Sequence, residues 1–281
     1  IRSITESYAE SAFVEELRIA IAKNQKIRVK GLAGGFDAIL ASLLIDQTAW
    51  SHLLILHDKE EAAYFLDDLS NFLAEDNIHF FPGSYKKAYQ FEQTENANVL
   101  QRAEVLNQVQ YSDNKQHVII TYPDALYEKV INKQSLAKNT FTVTVGEQLD
   151  TSFLTELLIS YDFEKTDFVY EAGQFAVRGG IVDVFSFSRQ YPFRLEFFGE
   201  DLESIREFDP ETQLSQKDLE RITLIPNVQT NLLEEHIQSF LTFIPEDTTI
   251  WIKDYRETLD LVEKGYLKAK DSFDEIMRVS G

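Results

Sequence analysis

The sequence has no cysteine, which excludes disulfide bonds, thiol chemistry and thiolate metal sites. A chain without cysteine suits a reducing compartment, so we expect a cytoplasmic protein. No apolar run approaches the roughly 18 residues from which a membrane-spanning helix is built, so we expect no membrane association. The five histidines form neither a close i, i+4 pair nor an H-E-x-x-H motif, which argues against a zinc site.

Basic residues are scarce: 27 lysines and arginines stand against 47 acidic residues, and the formal net charge is -20. A protein that mainly grips phosphate backbones carries a basic surface, because counterion release dominates that affinity. Non-specific DNA binding by the whole chain is therefore disfavoured, although a local basic patch is still compatible with the composition. Hydrophobic residues make up 44% of the 281-residue chain, which is enough to form the cores of about two domains.

Apolar strands alternate with helical patterns over the first 125 residues. Apolar runs at 53–56, 78–81 and 118–121 predict strands, of which the last is expected to be buried, and the segments between them predict helices. Continuous apolar strands separated by helices are typical of a parallel sheet covered on both faces. The run Thr249–Ile252 predicts one more buried strand, which could rejoin the same sheet.

The pattern changes near residue 125, after which apolar residues recur with period two in the stretches 141–145, 167–187 and 191–198. This alternation is typical of an antiparallel sheet with one buried face. We predict an α/β fold, namely a parallel-sheet domain with an inserted α+β domain. The predicted segments are residues 1–125 as the first part, 126–225 as the insertion and 226–281 as the return segment.

A glycine-containing loop lies between a predicted short strand at Lys26–Lys30 and a predicted helix, which is the setting of a phosphate-binding loop. On the pattern G-x-x-x-x-G-K-[ST], Gly31 takes the first glycine, and Gly34 and Gly35 fall inside the loop. The last three positions of the motif do not match and are occupied by Phe36, Asp37 and Ala38.

Each mismatch removes a component of a triphosphate site. Phe36 is bulky where the backbone must approach phosphate, Asp37 is negative where a cation is needed, and Ala38 has no oxygen for magnesium. We therefore predict a degenerate P-loop-type domain without a cofactor or metal. The loop could keep a weak anion on its amides, but a plain strand-to-helix turn is favoured, since a carboxylate suits a helix N-terminus. No G-x-S-x-G elbow is present, and no other catalytic constellation indicates an enzyme.

Residues 172–194 form a locally positive window, because they contain three arginines and a single acidic residue, Asp183. Period two in the strand that ends at Phe198 places Arg194 and Phe198 on the face opposite the core. Arg178 faces away from its apolar neighbours in the preceding strand, and Gly179–Gly180 permits a tight bend or bulge beside it.

An exposed aromatic residue near two arginines is a combination enriched at interface hot spots. The alternative is structural: the arginines pair with Glu196 and Asp183, and Phe198 folds back under a loop. Surface ion pairs and single exposed apolar residues are both common, so the pattern alone favours neither interpretation.

Three sequence blocks carry a family resemblance: QFAVRGGIVDVF from 174, YPFRLEFFGE from 191 and ESIREFDPETQ from 203. In this order and spacing they resemble the middle domain of the UvrB/Mfd family, and a weaker, colinear resemblance extends over most of the chain. In that family the middle domain docks on UvrA, the damage-recognition ATPase. The resemblance therefore implies UvrA as the partner and Arg178, Arg194 and Phe198 as its contact residues.

In two features the sequence differs from the UvrB proteins and resembles the transcription-repair coupling factors instead. The glycine loop is degenerate, and Phe81–Gln90 leaves little room for the long aromatic hairpin with which UvrB binds damaged DNA. The resemblance then implies a non-catalytic N-terminal module that recruits UvrA in transcription-coupled nucleotide excision repair. RNA-polymerase-binding and ATP-dependent DNA translocase domains would follow Gly281.

Two alternatives stay open at this point. One is a UvrB-like, ATP-dependent DNA-repair helicase fragment that still binds nucleotide. The other is an α/β scaffold without a partner, which the lack of a catalytic site allows.

Overall fold

The computed structural model describes residues 8–73, 77–84, 96–111, 116–226 and 237–280. The chain has two compact units, one formed by Ile1–Pro82, Ser112–Tyr127 and Ile244–Gly281, the other by Gly83–Tyr111 and Glu128–Phe243. The fold is mixed α/β, with a parallel sheet and an antiparallel sheet, as the sequence predicts. In the part of the chain described, no helix is both long and apolar enough to cross a membrane.

The helices, in chain order, are α1 Ala12–Ala22, α2 Phe36–Ile45, α3 Lys59–Ser70, α4 Asn96–Tyr111, α5 Pro123–Tyr127, α6 Lys133–Lys138, α7 Thr151–Ser160, α8 Phe240–Phe243 and α9 Tyr255–Ser280. The strands are β1 His52–Ile55, β2 Ile78–Phe80, β3 Val118–Thr121, β4 Val130–Ile131, β5 Phe141–Thr144, β6 Glu164–Lys165, β7 Gln174–Arg178, β8 Ile181–Val184, β9 Phe193–Phe198, β10 Asp201–Phe208, β11 Ser215–Leu219, β12 Arg221–Leu224, β13 Ile237–Gln238 and β14 Thr249–Ile252.

The first unit is built on a four-stranded sheet of order β14-β1-β3-β2, in which all neighbours are parallel. Every residue of β1 and β3 is buried, because continuous apolar strands suit the centre of a covered sheet. Strand β14 pairs with β1, so the prediction that Thr249–Ile252 rejoins this sheet is confirmed. The prediction that this strand is buried is wrong, because β14 lies at the edge of the sheet, with Ile250 and Ile252 exposed. Trp251 packs against a core cluster formed by α1 and α2.

The predicted strand at Lys26–Lys30 is wrong, because this segment has no strand structure. Four of its five residues are exposed, and only Val29 packs partly against the core of α1 and α2. Alternating lysine and arginine leave too little apolar surface for a buried strand beside the glycine loop. A P-loop-type architecture is therefore not confirmed for this unit.

The second unit is built on a six-stranded sheet of order β11-β10-β9-β8-β7-β6. Its neighbours are antiparallel except for β6 and β7, which are parallel. Two short antiparallel pairs, β12 with β5 and β13 with β4, complete the unit, which also includes α4. Strand β9 alternates between buried and more exposed residues, as its period-two sequence predicts.

The β7–β8 hairpin turns at Gly179 and Gly180, which gives the tight bend expected from the sequence. Gly179 has a φ of 61°, in the left-handed region that favours glycine. A Cβ at Gly180 would lie 2.5 Å from the carbonyl oxygen of Phe197, whose N–H donates to Gly180. Glycine therefore allows β9 to approach the hairpin closely.

Candidate functional site

The glycine loop of the first unit has the backbone shape that its sequence favours. Gly31 and Gly34 have φ values of 83° and 61°, and Gly35 is the N-cap of α2. Phe36, the first residue of that helix, packs edge to face against Tyr8, with ring centroids 5.1 Å apart. This turn therefore packs a phenyl ring where a phosphate-binding loop has its second glycine.

Asp37 is paired within the protein. Its Oδ1 accepts a hydrogen bond from the Ala38 N–H at 2.9 Å, and its Oδ2 pairs with Nζ of Lys253, the residue after β14. Lys253 Nζ also lies 3.8 Å from Oε1 of Glu61. The side chain of Ala38 is buried in the core. A cation is therefore present near this loop, but two carboxylates of the protein already hold it.

Further acidic groups lie at the same edge of the parallel sheet. His57 Nδ1 is 2.9 Å from Glu61 Oε2, and His57 Nε2 is 3.6 Å from Glu257. Asp58 caps α3 by accepting from the Glu61 N–H at 2.8 Å. These carboxylates disfavour a triphosphate, since like charges repel. Among the described residues, no group of three or more His, Cys, Asp or Glu side chains could hold a metal ion.

The second candidate site is the polar face of the six-stranded sheet in the second unit. Paired residues of neighbouring antiparallel strands share a face, so the register shows which side chains lie together. Asp183 pairs with Arg194, and Arg194 with Arg206, in one row across β8, β9 and β10. The opposite face is buried and contains Phe175, Val182, Val184, Phe193, Leu195, Phe197 and Ile205.

Asp183 is the centre of this polar face. Its side chain is 0% exposed, and it accepts from Arg194 Nε at 2.7 Å and Nη2 at 2.9 Å. It also pairs with Nη2 of Arg178. One buried carboxylate thus holds two guanidinium groups, and the three side chains together keep one positive charge.

Arg194 is mostly covered, with 16% of its side chain exposed. Its Nη1 donates to the Gln213 carbonyl at 3.2 Å, and its guanidinium lies over the ring of Phe208 at 4.5 Å. The hydrogen bond to Asp183 is the main cause that raises the pKa of Arg194 above its ordinary value. This arginine therefore stays charged and has a fixed orientation.

Arg178 is the more accessible of the two arginines, with 36% of its side chain exposed. Its Nη1 donates to the carbonyl of Asp167 at 2.8 Å. The guanidinium also lies 5.2 Å from the ring centroid of Phe168, within range of a cation–π contact. Arg178 is thus fixed on one side and open to solvent on the other.

Phe198 is the last residue of β9, and 75% of it is exposed. Gly199 follows with a φ of 66° and turns the chain into β10, where Asp201 pairs with Phe198. Because β9 alternates and Phe197 occupies the core face, Phe198 projects from the polar face. A phenyl ring that is three-quarters exposed adds little to the stability of the isolated unit through burial.

The structure therefore shows features of both interpretations of this segment. Phe198 is exposed, so the alternative in which it folds under a loop is wrong. Both arginines do pair with Asp183, as the structural alternative held, whereas Glu196 pairs with Arg206. The role of these residues as partner contacts stays a prediction, and the segment Phe81–Gln90 lies outside the described residues from 85 onward.

Sequence reasoning missed two residues of this face. The alternation over 167–187 predicts a strand at Phe168, but this residue lies in the loop between β6 and β7 and is 49% exposed. Arg206 lies on the same face and forms an ion pair with Glu196. In the sequence, only the aromatic character of Phe168 pointed to a contact residue here, and it did not show whether Phe168 lies in a strand or in a loop.

Comparison with known proteins agrees with the resemblance to the UvrB/Mfd family. Residues 141–229, which include the whole polar face from β7 to β11, match the family model described as the UvrB interaction domain. The transcription-repair-coupling factor of Bacillus subtilis is 26% identical over 197 residues, which cover 70% of this chain and 16% of that protein. Its counterpart from Myxococcus xanthus is 27% identical over 261 residues, 90% of this chain and 21% of that protein.

The UvrABC system protein B of Enterococcus faecalis is 24% identical over 286 residues. This match covers 97% of the present chain and 43% of that protein. The chain thus spans less than half the length of the curated relatives it matches.

Proposed function

We propose that this chain, which carries a UvrB interaction domain and is similar to transcription-repair-coupling factors and UvrB, is a non-catalytic module that recruits UvrA in transcription-coupled nucleotide excision repair. The interaction-domain match and the names of the relatives support a role in excision repair. The polar face of the six-stranded sheet is the proposed docking surface, with Arg178, Arg194 and Phe198 as its contact residues.

The observation that carries this proposal is the exposed Phe198 on the same face as the two arginines held by Asp183. Aromatic and arginine side chains dominate interface hot spots, because they bury much surface and form directed hydrogen bonds. A ring that is 75% exposed contributes little to the stability of the free unit, whereas it can contribute strongly to a complex. A protein partner explains its position.

Charge favours a protein partner over nucleic acid. The chain has a formal net charge of -20, and Asp183 already neutralises one of the two arginines. A phosphate backbone would meet one net positive charge within a strongly acidic protein, which is a poor basis for affinity through counterion release. An acidic patch on a protein requires only local complementarity.

The proposal assigns no nucleotide chemistry to this chain. Asp37 occupies the lysine position of the phosphate-binding pattern and pairs with Lys253, while Glu61 and Glu257 add negative charge nearby. The UvrB-like alternative, in which the chain binds ATP, is disfavoured by this arrangement. Titration with magnesium-ATP in a thermal-shift assay separates the two, since a bound ligand raises the melting temperature.

A pull-down with purified UvrA tests the proposed docking surface. The wild-type chain should retain UvrA, and Phe198→Ala should lose most of it at the same input. Tyr64→Ala is the matched control, because Tyr64 is 76% exposed on α3 of the other unit and should leave retention unchanged. Failure of the wild-type chain to retain UvrA, or equal retention by the Phe198→Ala variant, would contradict the assignment.

A further inference from the structure

We infer that Phe168 is a second aromatic anchor of the docking surface, and that UvrA meets it with a carboxylate beside apolar side chains. This inference rests on the proposed function and extends it to a residue outside the three that the family resemblance implies. It starts from the position of Phe168 against Arg178, the more accessible arginine of the polar face.

The loop between β6 and β7 is held in place on several sides. Thr166 Oγ1 donates to the Phe168 carbonyl at 2.8 Å, and Gln174 Oε1 accepts from the N–H groups of Tyr170 at 2.9 Å and Glu171 at 3.0 Å. Gln213 Nε2 donates to the carbonyl of Val169 at 3.2 Å. A loop fixed in this way loses little conformational entropy on binding, which favours affinity.

The side chains of this loop alternate between the core and solvent. Val169 is 0% exposed, whereas Phe168 and Tyr170 on either side of it are 49% and 55% exposed. The buried valine fixes the loop to the unit and leaves two rings at the surface. Rigid aromatic side chains with few rotatable bonds are effective contact residues for this reason.

Phe168 and Arg178 form one recognition element. The ring lies 5.2 Å from the guanidinium carbon, while Asp183 and the Asp167 carbonyl hold the guanidinium from other directions. Within the described residues these contacts use only part of the hydrogen-bonding capacity of Arg178, since a guanidinium has five N–H donors. The remaining donors can bind a partner carboxylate, and the exposed part of the ring can contact apolar groups beside it.

The charge of the element identifies the complementary surface. Arg178 and Arg194 share Asp183, so the cluster keeps one positive charge, and Glu196 is already paired with Arg206. An acidic group on the partner would be desolvated next to an aromatic ring, where charge-assisted hydrogen bonds are stronger than in water. Phe198 contacts the same partner farther along the face.

The experiment compares UvrA binding by Phe168→Ala and Phe153→Ala variants of the full chain in calorimetry. Phe153 is 48% exposed on α7 of the same unit and packs edge to face on Phe141, so it matches Phe168 in exposure and residue type. We expect Phe168→Ala to raise the Kd about tenfold and Phe153→Ala to leave it unchanged. A Phe168→Tyr variant, which keeps the ring, should restore most of the affinity.

The outcomes separate this inference from the function on which it rests. If Phe168→Ala binds UvrA with native affinity while the Arg194→Ala, Phe198→Ala double variant loses binding, only the role of Phe168 as a second anchor is overturned. Absence of UvrA binding by the wild-type chain overturns the docking function as well. Binding of a DNA duplex that weakens in Phe168→Ala, without binding of UvrA, overturns the choice of a protein partner. Equal thermal melting of Phe168→Ala and Phe153→Ala excludes misfolding as the cause.

Discussion

Replacement of Asp183 by asparagine is expected to destabilise the second unit more than the loss of any exposed carboxylate on the same face. Asp183 is 0% exposed and holds Arg178 and Arg194, with Oδ1 2.7 Å from Arg194 Nε. Asparagine has the same shape but no charge: its carbonyl oxygen can still accept from a guanidinium, whereas the NH2 group that replaces the second oxygen cannot accept. Two cations would then lie side by side without their shared counter-ion.

The expected magnitude follows from the burial of the groups involved. Breaking a fully buried ion pair by removing one partner costs about 3–5 kcal/mol. The arginine side chains are 16% and 36% exposed, so solvent screens part of the effect, and we expect about 2–3 kcal/mol. In a domain of this size such a loss lowers the Tm by roughly 5–10 °C.

Thermal unfolding followed by circular dichroism measures this effect. The matched control is Asp218→Asn, because Asp218 is an exposed carboxylate on the same face, opposite Arg206 in the β10–β11 pairing. We expect the control to change the stability by no more than about 0.5 kcal/mol. A melting temperature for Asp183→Asn within about a degree of the wild-type value would show that the carboxylate shared by Arg178 and Arg194 does not stabilise the second unit.

Three further predictions concern ligand and pH dependence. Magnesium-ATP should leave the Tm unchanged, and a concentration-dependent rise would contradict the proposal that this chain does not bind nucleotide. Burial lowers the pKa of His52 to about 4, and its Nδ1 accepts from Trp251 Nε1 at 3.0 Å. Because the unfolded histidine protonates near its ordinary value of 6.5, stability should fall as pH decreases from about 6.5 to 4, with a change in Trp251 fluorescence. A His52→Gln variant with the same acid profile as the wild type would contradict this role. Burial also raises the pKa of Glu104 above its ordinary value of 4.5. The folded protein therefore loses stability as pH rises above that ordinary value, because the ionised carboxylate is less favourable in the buried site than in the unfolded chain. Glu104→Gln should therefore raise the Tm at pH 7 but not at pH 4, and an equal shift at both values would rule the explanation out.

Much of the fold follows from local sequence pattern. The apolar run Thr249–Ile252 predicts a strand, and β14 pairs with β1 as expected, although its residues are half-buried or exposed rather than buried. The facing of Phe198 also followed from period two in β9, because Phe197 had to occupy the core. The prediction of a strand at Lys26–Lys30 is wrong. A short alternation of charged and apolar residues does not determine whether the segment will pair with a neighbouring strand.

The site was less predictable because its contacts join distant parts of the chain. The ion pair of Asp37 with Lys253 links residues 216 positions apart, so no local motif reveals it. The sharing of Asp183 by both arginines depends on the register of three strands, which a single sequence does not determine. Phe168 lies in a loop that is held by non-local hydrogen bonds: Gln174 Oε1 accepts from the Tyr170 N–H, and Gln213 Nε2 donates to the Val169 carbonyl.

Calorimetric titration of UvrA into this chain tests the central claim most directly. The wild-type chain should bind, and the Arg194→Ala, Phe198→Ala double variant should bind at least about thirtyfold more weakly, corresponding to a loss of roughly 2 kcal/mol. An Arg256→Ala, Tyr64→Ala control removes an exposed arginine and an equally exposed aromatic from the first unit and should bind normally. Native affinity in the first double variant would show that the polar face of the six-stranded sheet is not where UvrA docks.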